Sequence, residues 1–224
     1  SEPTNFRSFT VSGDGKASGT PDVAEFSFQV ITEGGVDVAK LQSDNATKMN
    51  KAIEFIKKQG VVAADIKTEQ YSINPRYQTT ACDYGSGKVC PPAEITGYTV
   101  QQSANIKVRD FKLISALLSG VVQNGANSVS QISFTIDNPT ATENIARAEA
   151  FKKAKEKAEG MAKAGGFTIG RLLDISEGTS YPSYYGRGGA VAMDMVKSEA
   201  AVAPTIEAGS QEVNITVSLK YEIQ

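Results

Sequence analysis

Ala146, Ala150, Ala154, Ala158 and Ala162 recur at every fourth position of the chain. In a helix, positions i and i+4 lie one above the other, so these five methyl groups form a smooth seam on one face. Lys and Glu cover most of the remaining surface of the stretch EAFKKAKEKAEGMAKAGG that starts at Glu149. A seam without bulk lets a helix lie close against a sheet or another helix. Asn138 and Pro139 suit the start of this helix as a cap and a first-turn proline, and Gly165 and Gly166 suit its end. Glu149 with Lys153, and Glu159 with Lys163, are well-ordered i, i+4 pairs. Each contributes only about 0.3–0.5 kcal/mol, as expected of a solvated face.

Elsewhere the dominant signal is alternation. Phe9 and Val11 alternate with Thr10 and Ser12, and Ala24, Phe26, Phe28 and Val30 alternate with Glu25, Ser27 and Gln29. Between them, GDGKASG at 13–19 reads as a hairpin turn; it lacks the spacing of a phosphate loop and does not lead into a helix. A helix is expected over about 37–59, with Val38, Leu41, Met49, Ile53 and Ile56 mostly on one face and Gly60 as its stop. A strand near 66–78 carries Tyr71, Ile73 and Pro75, the proline pointing to a sheet edge. A second strand over 95–108 precedes a short helix capped by Asp110, with Phe111, Ile114, Leu117, Leu118, Val121 and Val122 as its stripe. Ile132, Phe134 and Ile136 alternate in a further strand, and Leu173 and Ile175 mark another at about 170–177. Residues 178–208 read as one long loop. Val213 to Ile223 then alternate without a break against polar neighbours, the clearest strand of all.

One-face alternation throughout implies an α+β protein. The expected form is a largely antiparallel or mixed sheet with three helices on one side, built from two strand–helix–strand units near 22–78 and 95–137. NAT at Asn45 and NIT at Asn214 match glycosylation sequons, but each falls inside a predicted regular element.

The 224 residues contain no histidine, which removes Ser–His and Cys–His pairs and histidine-based metal sites together. Carboxylates are scattered over predicted wet faces, so no catalytic, cofactor or metal residues are assigned. A net charge of −2 argues against a nucleic-acid partner. No apolar run approaches the ~18 residues of a membrane span. The chain starts SEPTNF, with neither an initiator Met nor an apolar stretch, which suits a mature exported protein or a chain trimmed at that point.

Two local features remain. Cys82 and Cys90 sit in one turn-rich loop, ACDYGSGKVCPP, without a CxxC motif. An even pair in one exposed loop points to a disulfide and an oxidising compartment; the alternative is two free surface thiols. The cluster YPSYYGRGG offers Tyr181, Tyr184, Tyr185 and Arg187 as an interface or ligand loop. The alternative is a flexible, glycine-spaced loop.

The chain resembles the SIMPL-domain family of bacterial envelope proteins. The resemblance rests on FTVSGDGKASGTPDVAEFSFQVITEG, ITGYTVQQSANIKVRD, ARAEAFKKAKEKAEGMAKAGGFTIGRLLDISE and TIEAGSQEVNITVSLKYEI, in that order. It implies a single SIMPL-like domain over 1–224, located in the periplasm or at the cell surface. It also implies a non-enzymatic envelope protein that self-associates, with structural or oxidative-stress-protective duties and other envelope proteins as candidate partners. A periplasmic module binding a small ligand or protein is the second expectation, and a hydrolase working through carboxylates the third.

Overall fold

The computed structural model describes residues 7–78, 81, 85, 87, 89–182 and 206–224. Among these residues, three helices and eight strands, all paired antiparallel, make it an α+β protein as expected. The strands form two sheets instead of one. The chain divides into two compact units, Ser1–Pro21 with Ile136–Ala201 and Glu207–Gln224, and Asp22–Thr135 with Val202–Ile206.

The first unit holds a three-stranded sheet in the order β1 (Ser8–Gly19), β8 (Gln211–Ile223), β7 (Ile169–Ser180), with α3 (Thr140–Gly165) lying on it. Val213, Ile215, Val217 and Leu219 of β8 are buried beneath the alanine seam, and all five seam alanines are buried too. Here the sequence expectation needs correction. GDGKASG is not a turn; it is the second half of β1, paired residue for residue with β8 from Gly13↔Val217 to Gly19↔Gln211. Gly13 and Gly15 are there because α3 comes too close for anything larger. A Cβ on Gly13 would lie 2.2 Å from the Ala150 carbonyl oxygen, and one on Gly15 would lie 1.9 Å from that of Ala146. A glycine strand and an alanine helix face are thus two halves of one close contact. The α3 ends match expectation: the Asn138 side chain accepts from the Thr140 N–H, and Gly166 closes the helix with φ of 70°. Strand β7 runs on to Ser180, so residues 178–180 belong to it and not to a loop.

The second unit holds a five-stranded sheet in the order β3 (Ile66–Gln78), β4 (Glu94–Val108), β2 (Val23–Gly34), β5 (Ser128–Val129), with β6 (Ser133–Thr135) also on β2. Helices α1 (Val38–Lys58) and α2 (Ile114–Gln123) supply its core with Met49, Ala52, Ile56, Ile114, Leu117 and Val121 against Phe26, Phe28, Val30, Ala104 and Ile106. The two strand–helix–strand segments interleave: β3 follows α1 but pairs with β4, while β5 and β6 follow α2 and pair with β2. This is the split βαββαβ arrangement of ferredoxin-like folds. Pro75 sits on β3 at the sheet edge, where a missing N–H is tolerated. Asp110 accepts from the Lys112 N–H and starts the turn leading into α2, as its sequence suggests.

Candidate functional site

Of the tyrosine–arginine cluster, Tyr181 is described, and Tyr184, Tyr185 and Arg187 lie outside the described residues. The Tyr181 hydroxyl donates to the Glu143 carboxylate on α3, and this bond holds the phenol above its ordinary pKa. One turn along the helix, Arg147 makes a two-pronged bond to Glu177 of β7, with Nε to Oε2 and Nη2 to Oε1 both at 2.7 Å. Its remaining Nη1 donates to the Asn144 side chain at 2.5 Å. Every residue of β7 beyond Gly170 is exposed, so apolar burial contributes little there. The ion pair and the tyrosine bond are what tie the end of this edge strand to α3. Cys82 also lies outside the described residues, whereas Cys90 is within them.

In the second unit the informative residue is Asn45 of α1, which is fully buried. Its amide nitrogen donates to the carbonyl oxygens of Val30 at 2.9 Å and Val100 at 3.0 Å, and lies 3.1 Å from the Thr32 hydroxyl. Carbonyls only accept, which decides the orientation of the amide. Val30 and Val100 belong to neighbouring strands, so one side chain pins α1 across the β2–β4 seam. At the start of α1 a cleft of about 690 Å³ is lined by Thr32–Asp37 and by the Lys40, Leu41, Asp44 and Lys48 positions of the helix.

Several described carboxylates are tied into ion pairs. Glu177, Glu149 and Glu222 are each held below the ordinary carboxylate value, primarily by hydrogen bonds from Arg147, Lys153 and Arg171 respectively. Asp65 accepts from Arg109 Nε at 2.8 Å and Nη2 at 3.0 Å. Among the described residues, no group of three metal-ligating side chains comes together. Among the described residues, no helix is long and apolar enough to cross a membrane.

The sequence model of the SIMPL family, described as a protein of unknown function (DUF541), matches residues 9–221. The chain belongs to the SIMPL family. It is 28% identical over 218 residues to the 26 kDa periplasmic immunogenic protein of Brucella melitensis, covering 96% of this chain and 84% of that one. The same protein from Brucella abortus matches to the same extent. The uncharacterized protein YggE of Escherichia coli is 24% identical over 165 residues, covering 73% of this chain and 63% of that one.

In this SIMPL chain, the partner of Tyr181 was invisible in the sequence because Glu143 lies 38 positions away, and Glu177 lies 30 positions from its own partner Arg147. Asn45 had left a trace. Leu41, Met49, Ala52 and Ile56 form the buried stripe of α1, and Asn45 is the one polar position interrupting it. The ion pairs also carry a pH signature. A folded-state carboxylate pKa below the unfolded value, about 4.3 for Glu, stabilises fully above that value and is lost as pH falls through the folded value. The melting temperature is therefore expected to fall on acidification from about pH 6 to about pH 3. Arg147→Ala should make that fall shallower, because Glu177 then loses its main reason to stay ionised. Equal acid slopes for the variant and the wild type would show that the Arg147–Glu177 pair does not form in solution.

Proposed function

We propose that this chain is an exported, non-enzymatic envelope protein that self-associates in the periplasm, with its two units acting as one SIMPL domain. The observation that carries this reading is the match along 84% of a Brucella protein named as periplasmic, together with a family model that runs through both units. Among the described residues, Glu149, Glu177 and Glu222 are held ionised by ion pairs, which suits them to tying elements together and not to acting as general acids. Self-association is favoured by β7. It is an edge strand that presents Leu172 (43% exposed), Leu173 (37%) and Ile175 (50%). Apolar edge strands are sites of strand pairing unless something guards them.

Multi-angle light scattering of the purified chain at micromolar concentration tests the proposal, with a homo-oligomer expected. Ile175→Lys should weaken it. A wild-type monomer would refute self-association, and an unchanged oligomer in Ile175→Lys would move the contact away from β7. An exported chain also brings the proposed Cys82–Cys90 disulfide with it. The same preparation, denatured without reductant, should then titrate with no free thiol, and two reactive thiols per chain would refute the pairing.

A further inference from the structure

We infer that the cleft beside α1 binds an extended polypeptide segment carrying an acidic residue, which adds to the free edge of β2 as an extra strand. On the β5 side of β2, Ser27 and Gln29 accept through their carbonyl oxygens from the N–H groups of Ser130 and Asn127. Two side chains extend this ladder: Ser130 Oγ accepts from the Ser27 N–H, and Asn127 Oδ1 accepts from the Ile31 N–H at 2.6 Å. Odd-numbered residues of β2 therefore direct their main-chain groups to this edge. After Asn127 the pairing stops, yet β2 continues to Gly34. The Ile31 carbonyl and both main-chain groups of Glu33 face the same edge, and no described residue pairs with them.

This unpaired stretch borders the 690 Å³ cleft, whose opposite wall is the first turns of α1. A strand edge facing a helix across an open groove is the geometry of peptide capture by strand addition: main-chain bonds hold the segment, and groove side chains select it. Selection here follows from charge. Lys40 is neutralised by Asp44 at 2.8 Å, and Asp37 is engaged in capping the Lys40 N–H. Glu33 accepts from Thr99 on the opposite face of the sheet, the face it shares by alternation with Glu25, Ser27 and Gln29. Lys48 lines the cleft and makes no ion pair with a described acid, which leaves it as the cation available to an incoming carboxylate. The exposed Val36 supplies apolar contact in the same cleft. The site lies wholly within the second unit, so it does not depend on self-association.

The test uses a fluorescein-labelled heptapeptide of alternating Thr and Val with a central Glu, a copy with a central Lys, and a copy of the first N-methylated at alternate amides. With the full chain, the Glu peptide should bind saturably and shift the amide resonances of Ile31, Glu33 and Lys48. The N-methylated copy should not bind. Glu33→Pro removes an N–H that no strand uses, so it should retain the wild-type melting temperature and lose about tenfold in affinity, the equivalent of one main-chain bond. Lys48→Glu should reverse the preference between the Glu and Lys peptides. Absence of saturable binding, equal binding of the N-methylated copy, or resonance shifts confined to β7 would each overturn the inference. Shifts at Ile31 and Glu33 that depend on protein concentration without peptide would assign the edge to a second copy of the chain and overturn it as well.

Discussion

Gly15→Val is expected to lower the unfolding free energy by about 3 kcal/mol or more, one of the two largest effects we anticipate for a single substitution. Valine is a better strand residue than glycine, so propensity alone predicts stabilisation. The contact decides the sign. The first carbon of the new side chain would meet the Ala146 carbonyl oxygen at 1.9 Å and the Ala150 nitrogen at 2.7 Å. Both are helix main chain, which cannot rotate aside, so α3 must lift from β1 and open the buried seam from Ala146 to Ala158. Ala154→Leu should destabilise in the same way from the helix side, whereas Lys153→Leu should be nearly silent. Gly160→Ala is the control. Outside its own stretch of helix, no described atom lies within 4 Å of its added carbon, so replacing a helical glycine should raise stability by about 0.5–1 kcal/mol. Urea unfolding followed by circular dichroism measures all four. A Gly15→Val protein as stable as the wild type would mean that α3 does not lie this close to β1.

Asn45→Asp is expected to cost about 3–5 kcal/mol near neutral pH. The substitution keeps size and shape and exchanges an N–H donor for a carboxylate oxygen. In this buried site that oxygen would face the Val30 and Val100 carbonyls, which offer it no proton. Burial and the facing lone pairs raise the carboxyl pKa in the folded state above its unfolded value of about 3.9. The sign follows from linkage. The variant keeps most of its stability below the unfolded value and loses it as pH rises through the folded value. Its stability should therefore recover on acidification, against the trend set by Glu177, Glu149 and Glu222. Asn45→Leu should cost less, about 1–2 kcal/mol, since both carbonyls belong to paired strands and lose only an additional donor. Chemical denaturation at several pH values distinguishes these outcomes. An Asn45→Asp variant within about 1 kcal/mol of wild type at neutral pH would show that the side chain reaches water.

The second substitution also shows why the candidate sites were only partly legible beforehand. Asn45 is conspicuous as a polar interruption of the Leu41–Met49–Ile56 stripe, but a stripe cannot say which carbonyls it meets. Those belong to residues 15 and 55 positions away. Tyr181 stands out by composition, while its partner Glu143 does not, because nothing local distinguishes one glutamate of a charged helix from another. The cleft at β2 left no local signal at all. Whether a strand edge is free depends on which other strand reaches it and where that strand turns away.

Local chemistry was sufficient for the class and most of the elements. Period-two alternation in β2, β4 and β8 reports one buried face, the fourfold alanine repeat reports a close-packed helix, and Asp110, Asn138 and Gly166 mark ends through bonds made within a few residues. Where the local and tertiary requirements disagree, the sequence alone misleads. Gly13, Asp14, Gly15 and Lys16 have the composition of a turn, yet they form a strand, because β8 offers them a continuous ladder and α3 excludes any side chain from the two inward positions. The partition into two sheets was likewise decided in three dimensions. The periodicity that builds strands is a property of neighbours in the chain, whereas pairing β1 with β8 joins segments about 200 residues apart and is selected by the packing of α3 over both.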